Sequence, residues 1–189
     1  MLRVVLIGDS IRLGYQDHVR EALRGQAEVL SPAENGGTSA NVLAHLEPWV
    51  IAERPTIVHL NCGLHDLRRE FDAQTNAVPL EQYEKNLARI IARVKAETEA
   101  TLIWATTTPV NEDLHHRHKS FDRFEADVEA YNRVARRLAE QSGLPIDDLN
   151  AVITSAGRDR LLLTDGVHFT EEGYALLGEA AAATITAYL

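Results

Sequence analysis

Short apolar runs rich in β-branched residues alternate along this chain with longer stretches in which apolar positions recur every three or four residues. That alternation is the pattern of a parallel sheet covered on its faces by helices. Residues 4–8, 28–31, 57–61 and 102–105 read as buried strands, with a weaker fifth near 144–146. Pro79 opens a segment in which Leu80, Tyr83, Leu87, Ile90, Ile91 and Val94 share one helical stripe. Phe121, Phe124, Val128, Tyr131, Val134 and Leu138 form another, closed by Gly143. Asp147 and Asp148, just after Pro145, read as a helix start. Thr170 before Glu171 and Glu172 has the form of a capped start with acids in the first turn, and an Ala-rich helix follows it. The predicted order is βαβαβαβαβα, an α/β protein. The polar, His-rich stretch 106–119 is expected to be a loop. Loops leaving the carboxyl ends of strands bind ligands in open α/β sheets, which makes it a candidate wall of a site.

At 189 residues the chain suits one domain, 1–189, with a real core. A composition of 45% hydrophobic and 25% charged residues excludes a disordered or fibrous chain. The formal net charge of −9 repels phosphate backbones and anionic headgroups, so neither nucleic acid nor a membrane surface is an expected partner. Cys62 is the single cysteine, which excludes an intramolecular disulfide and a Cys-based metal centre; it reads as an inert small hydrophobe. The apolar run 4–7 is too short for a signal-peptide core, and no stretch approaches the roughly 20 apolar residues of a membrane span. The expectation is a soluble, cytoplasmic protein. No phosphate-binding loop of either glycine-rich type occurs, and His115, His116 and His118, interrupted by Arg117, read as a solvated loop rather than metal ligands. Trp49 and Trp104 read as packing residues, and Arg12 as either a substrate contact or a partner of surface acids.

Two junctions carry candidate chemistry. Gly8-Asp9-Ser10 ends a buried strand at a tight turn and sets a hydroxyl at or near a helix N-terminus, beside free amide donors that can stabilise an oxyanion. A simple helix cap is the other use of such a turn. Asp165-Gly166-Val167-His168 precedes the last helix; an Asp three residues before a His on a turn can bond Nδ1 and leave Nε2 as a base. A serine requires such a base to become nucleophilic at neutral pH.

These residues resemble the SGNH hydrolases, also called GDSL esterases and lipases. Gly8-Asp9-Ser10 is similar to the first block of that family, Asn35-Gly36-Gly37-Thr38 to the second, Gly63-Leu64-His65-Asp66 to the third and Asp165-Gly166-Val167-His168 to the last, in the right order and over nearly the whole chain. The resemblance implies a flavodoxin-like three-layer α/β/α sandwich with a five-stranded parallel sheet, and a Ser-His-Asp triad that hydrolyses carboxylic esters without metal or cofactor. Ser10 would be the nucleophile and first oxyanion donor, His168 the base and Asp165 its orienting partner. Gly36 would be the second donor in preference to Gly37, because the second block reads Gly, a polar residue, then Thr, and continues to Leu43. The third block departs from the pattern: His65 stands where the family carries an Asn as third donor. Asn61, at the end of the third strand, is the other candidate for that role. Asp66 is expected to cap its own turn. The implied substrate is a small-molecule or carbohydrate ester with a short acyl group, acetyl foremost. The alternatives are a non-catalytic carbohydrate- or partner-binding module on the same fold, an acyltransferase using the same triad, and, on topology alone, a flavodoxin-type electron carrier.

Overall fold

Residues 4–7 have no solvent exposure at all, and the next strand but one is equally buried over its full length. Runs with no polar face belong at the centre of a sheet covered on both sides. In the computed structural model, which describes residues 2–189, β1 (Leu2–Ile7) indeed lies inside the sheet, with a strand on either side. The chain continues through α1 (Ser10–Ala22), β2 (Ala27–Leu30), α2 (Ser39–Ala44), a π-helical turn at Glu47–Ile51 and β3 (Ile57–Leu60). It then forms β4 (Arg69–Glu70), α3 (Leu80–Glu97), β5 (Thr101–Ala105), α4 (Glu112–His118), β6 (Phe121–Asp122) and α5 (Glu125–Gln141). The last elements are β7 (Ile146–Asp147), α6 (Leu149–Leu161) and α7 (Glu171–Thr186).

Five strands pair in the order β2-β1-β3-β5-β7, all parallel, with Val4 opposite Val29 on one side and Ile57 on the other. Helices α1, α6 and α7 pack together on one face, and α2, α3 and α5 on the other, giving the three-layer α/β architecture. A buried side-chain contact ties the sheet: Nε2 of His59 on β3 lies 2.8 Å from the Asp147 carboxylate of β7, across the intervening β5. Among the described residues no helix is long and apolar enough to cross a membrane.

One packing contact decides where the site forms. A Cβ on Gly178 would lie 2.4 Å from the Cβ of His18, and one on Gly14 only 2.1 Å from the Tyr174 ring. Two glycines therefore let α1 and α7 approach closely, although each weakens its own helix by about 1 kcal/mol relative to Ala. The start of α1 and the loop entering α7 are brought to the same edge of the sheet.

The structure corrects three expectations at element ends. The fifth strand is Ile146–Asp147 rather than 144–146, and Asp148 alone caps the following helix, accepting from the Ala151 N–H. The helix expected from Phe121 begins at Glu125, because Phe121 and Asp122 pair with Arg69 and Glu70 in a two-stranded antiparallel ribbon and the Phe121 ring packs under the Arg68 guanidinium. The stretch 106–119 is not all loop. Asn111 caps α4 by accepting from the Leu114 N–H, with Glu112 and Asp113 in the first turn and the basic residues toward the end, as the helix dipole favours.

Candidate active site

Asp9 caps α1, its carboxylate accepting from the Ile11 N–H at 2.9 Å, so Ser10 is the first helical residue and its own N–H is one of the donors that a helix start leaves without an intrahelical acceptor. The Ser10 side chain is half-buried and 158 residues from its partner in sequence, yet its Oγ lies 2.9 Å from Nε2 of His168. Nδ1 of the same imidazole lies 2.6 Å from Oδ2 of Asp165. The other carboxylate oxygen of Asp165 accepts from the N–H groups of Val167 and His168. Burial alone would raise the Asp165 carboxyl, but the His168 side chain and amide, the Lys119 ammonium and the Val167 amide together hold it well below the usual carboxylate range. It is a fixed anion, and that fixes Nδ1–H as the donor and Nε2 as the acceptor of the Ser10 proton. The turn is held from outside as well. Gly166 has a φ of +70°, donates to the Leu163 carbonyl and accepts from the Asn111 N–H, and a Cβ there would meet the Asn111 carbonyl at 2.5 Å. The segment after β5 therefore braces the turn that carries Asp165 and His168.

Of the groups expected as oxyanion donors, several are engaged in bonds of the fold. Gly36 does not offer a free N–H: it donates to the Gly8 carbonyl at 2.9 Å, joining the second block to the end of β1. The N–H of Gly37 bonds the exposed Asn35 side chain. Asn61 is also committed, its amide donating to the Ala105 carbonyl at 2.9 Å and its N–H to that of Ile7, which stitches β3 to both neighbours. His65 is half-buried beside Asp9, Arg123, Arg68 and His168, and among the described residues none bonds either of its ring nitrogens. Burial, with the positive charges of Arg123 and Arg68 and the neighbouring His168, lowers its pKa against the opposing pull of Asp9, so it stands neutral with one N–H to donate. Asp66 does more than cap its own turn. It accepts from the backbone N–H and the hydroxyl of Ser39, whose oxygen in turn accepts from Asn86, and so ties the third block to the second.

Residues 6–176 match the family model described as the GDSL-like lipase/acylhydrolase family. The chain belongs to this family. It is accordingly a carboxylic ester hydrolase of the GDSL/SGNH type. A lipase/acylhydrolase from Enterococcus faecalis superposes with a TM-score of 0.83 at 25% identity, over 99% of this chain and 96% of that one. An acetylxylan esterase from Geobacillus stearothermophilus is 23% identical over 158 residues, 80% of this chain and 69% of its own. The crystal structure of an acetylxylan esterase, Axe2, from the same organism superposes with a TM-score of 0.80 at 21% identity, over 97% and 94% of the two chains, a likeness of fold.

Around this acylhydrolase site, several residues act differently from their sequence reading. Arg12 pairs with no acid among the described residues. It is almost wholly buried and donates to the carbonyls of Pro32 and Glu34, bracing the segment that leads into the second block. His115 is not solvated; it is fully buried, its ring lies edge-on to Phe121, and its Nε2 accepts from Arg123. Burial first, then the charges of Arg123 and Lys119, lower its pKa to about 4. Arg123, which the sequence reading passed over, is buried and also donates to the Leu64 carbonyl at 2.6 Å, fixing the main chain immediately before His65. Its guanidinium is pushed down to about 10 by burial. The only hint of it in the sequence is an Arg inside an apolar stripe between Phe121 and Phe124. Cys62 and Trp104 are buried as expected, and Trp49, half-buried, also packs against the core while stacking on His45.

Proposed function

We propose that this acylhydrolase is a serine esterase of short-chain carboxylic esters, foremost acetyl esters on carbohydrate, working through an acyl-enzyme on Ser10. The observation that carries this reading is the chain of contacts from Ser10 Oγ to His168 Nε2 and from His168 Nδ1 to Asp165. Ser10 Oγ attacks the acyl carbonyl as Nε2 takes its proton. The carbonyl oxygen becomes an oxyanion, which the Ser10 N–H and the one N–H of neutral His65 stabilise. Gly37 is the second-block amide open to a substrate, since it bonds an exposed side chain that can rotate away. The leaving alkoxide takes the proton from Nε2 as its bond to carbon breaks; water, deprotonated by the same nitrogen, then frees the acid and restores Ser10. Acetyl is favoured as the acyl group because acetylxylan esterases recur among the relatives, and because Ser10 sits half-exposed at the sheet edge.

The test is Ser10→Ala against wild type with p-nitrophenyl esters from acetate to palmitate and with acetylated xylo-oligosaccharides. Wild type is expected to be most active on acetate and to release acetate from the oligosaccharides, while the variant is inactive. Equal turnover by the variant would refute the mechanism, and a maximum at ten carbons or beyond would refute the substrate class.

A further inference from the structure

One contact of the triad is not accounted for by a serine, a histidine and an aspartate. The ammonium of Lys119, immediately after α4, lies 3.0 Å from Oδ2 of Asp165, the same oxygen that meets Nδ1 of His168. The contact is partly shielded, with 29% of the lysine side chain and 21% of the aspartate exposed. It is also built from the main chain. The Lys119 N–H donates to His115 at the end of α4, the Asn111 N–H at the other end donates to Gly166, and Gly166 packs against both ends of that first turn without a Cβ. Helix α4 thus holds the Asp165 turn at two points, one a hydrogen bond and one a charge.

We propose that Lys119 is a positioning residue of the triad: it locks the Asp165 carboxylate in place and offsets its charge, so that His168 remains a neutral base in more acid solution than the pair alone would allow. The proposal rests on the acyl-enzyme reading above. Four donors converge on one carboxylate, two on each oxygen, which leaves the carboxylate no freedom to rotate away from the imidazole. Two nitrogens bonded to one oxygen are at most about 6 Å apart, a distance at which like charges disfavour each other. Imidazolium formation is therefore opposed by Lys119 and favoured by Asp165. The other charged and titratable groups around the pair are Asp9 on the first turn, His65 on the third block, His115 on α4, Arg123 before α5 and Tyr174 on α7. None of them touches the Asp165 carboxylate, and all remain when Lys119 is replaced.

Lys119→Met and Lys119→Gln remove the charge at a partly exposed position, and Lys119→Arg keeps it. The acid limb of kcat/KM against pH is expected to move up by about half to one unit in the first two, a roughly three- to tenfold loss on the acid side, and to return toward wild type in the third. Titration of the His168 imidazole by NMR, assigned through its loss in His168→Gln, reads the same displacement without any substrate. If the imidazole titration moves while no ester is turned over even by wild type, the positioning role stands and the proposed function fails. If neither the acid limb nor the imidazole titration moves in folded Lys119→Met, the proposal is overturned.

Discussion

Replacing His65 tests whether a histidine carries the work that the family gives to an asparagine. The segment around it is rigid. Leu64 is pinned by Arg123 through a 2.6 Å bond to its carbonyl, and Asp66 is pinned through Ser39. Removing the ring between two fixed residues leaves a gap that the main chain cannot close, so no other donor moves in. Loss of one oxyanion donor lowers kcat by about 10² to 10³, or about 2.7–4 kcal/mol. His65 is half-buried and neutral, so its field is partly screened and it lacks the strength of a charged donor, which places His65→Ala near the lower end, a loss of about 10² in kcat with KM changed little. His65→Asn restores an amide donor and is expected to recover to within about tenfold of wild type. The assay is steady-state hydrolysis of p-nitrophenyl acetate, with circular dichroism to verify folding. A kcat for His65→Ala within twofold of wild type would show that the ring is a spectator; a loss confined to KM would assign it to substrate binding instead.

Burial pushes Asp66 up to about 7, against the hydrogen bonds from Ser39, from an ordinary value near 3.8. Because the folded value is raised, this group supports the fold fully below pH ~4, and that support is lost as pH rises through 7, on the order of 3–4 kcal/mol in total. Asp66→Asn is expected to flatten the fall seen in urea denaturation between pH 5 and 8, and parallel curves for the two proteins would contradict it. The depressed value of His115 acts in the opposite sense, adding stability that is present above its ordinary 6.5 and lost as pH falls through 4, so the two slopes oppose each other over the acid range and only the Asp66 slope persists to neutrality. A third expectation concerns packing. Gly178→Ala forces a Cβ to within 2.4 Å of the His18 Cβ, so α1 and α7 must separate. A loss of about 1–3 kcal/mol in stability and a lower kcat are expected together. Unchanged Tm and kcat would show that the close approach of these helices does not set the distance between Ser10 and His168.

The parts of the fold legible in the sequence are those whose causes are local. A strand covered on both faces must be apolar at nearly every position, so β1, β3 and β5 announce themselves, His59 being the buried exception in β3. The Ser10 and His168 turns are legible for the same reason, since a cap and a turn are made within a few residues. What was hidden depends on partners distant in the chain. Phe121 continues the stripe of α5 in sequence but is taken by the ribbon with residues 69 and 70 and by Arg68. His115 looks solvated until Arg123 is folded over it. The N–H of Gly36 looks free until β1 ends beside it and the Gly8 carbonyl takes it.

That last case bears on how the acylhydrolase site is made. Each loop at this edge spends part of its polar groups on holding another loop. Gly36 bonds Gly8, Asp66 bonds Ser39, and Asn111 bonds Gly166. A buried N–H or carboxylate left without a partner would weaken the fold by about 1–3 kcal/mol, so these ties are what permits four polar loops to crowd one sheet edge. The same economy leaves few groups free there, among them the Ser10 N–H and the His65 ring, while Nε2 of His168 faces the Ser10 hydroxyl. Chemistry can be done only by groups the fold has not already used, and at this edge those are the ones the proposed mechanism takes as nucleophile, base and oxyanion donors.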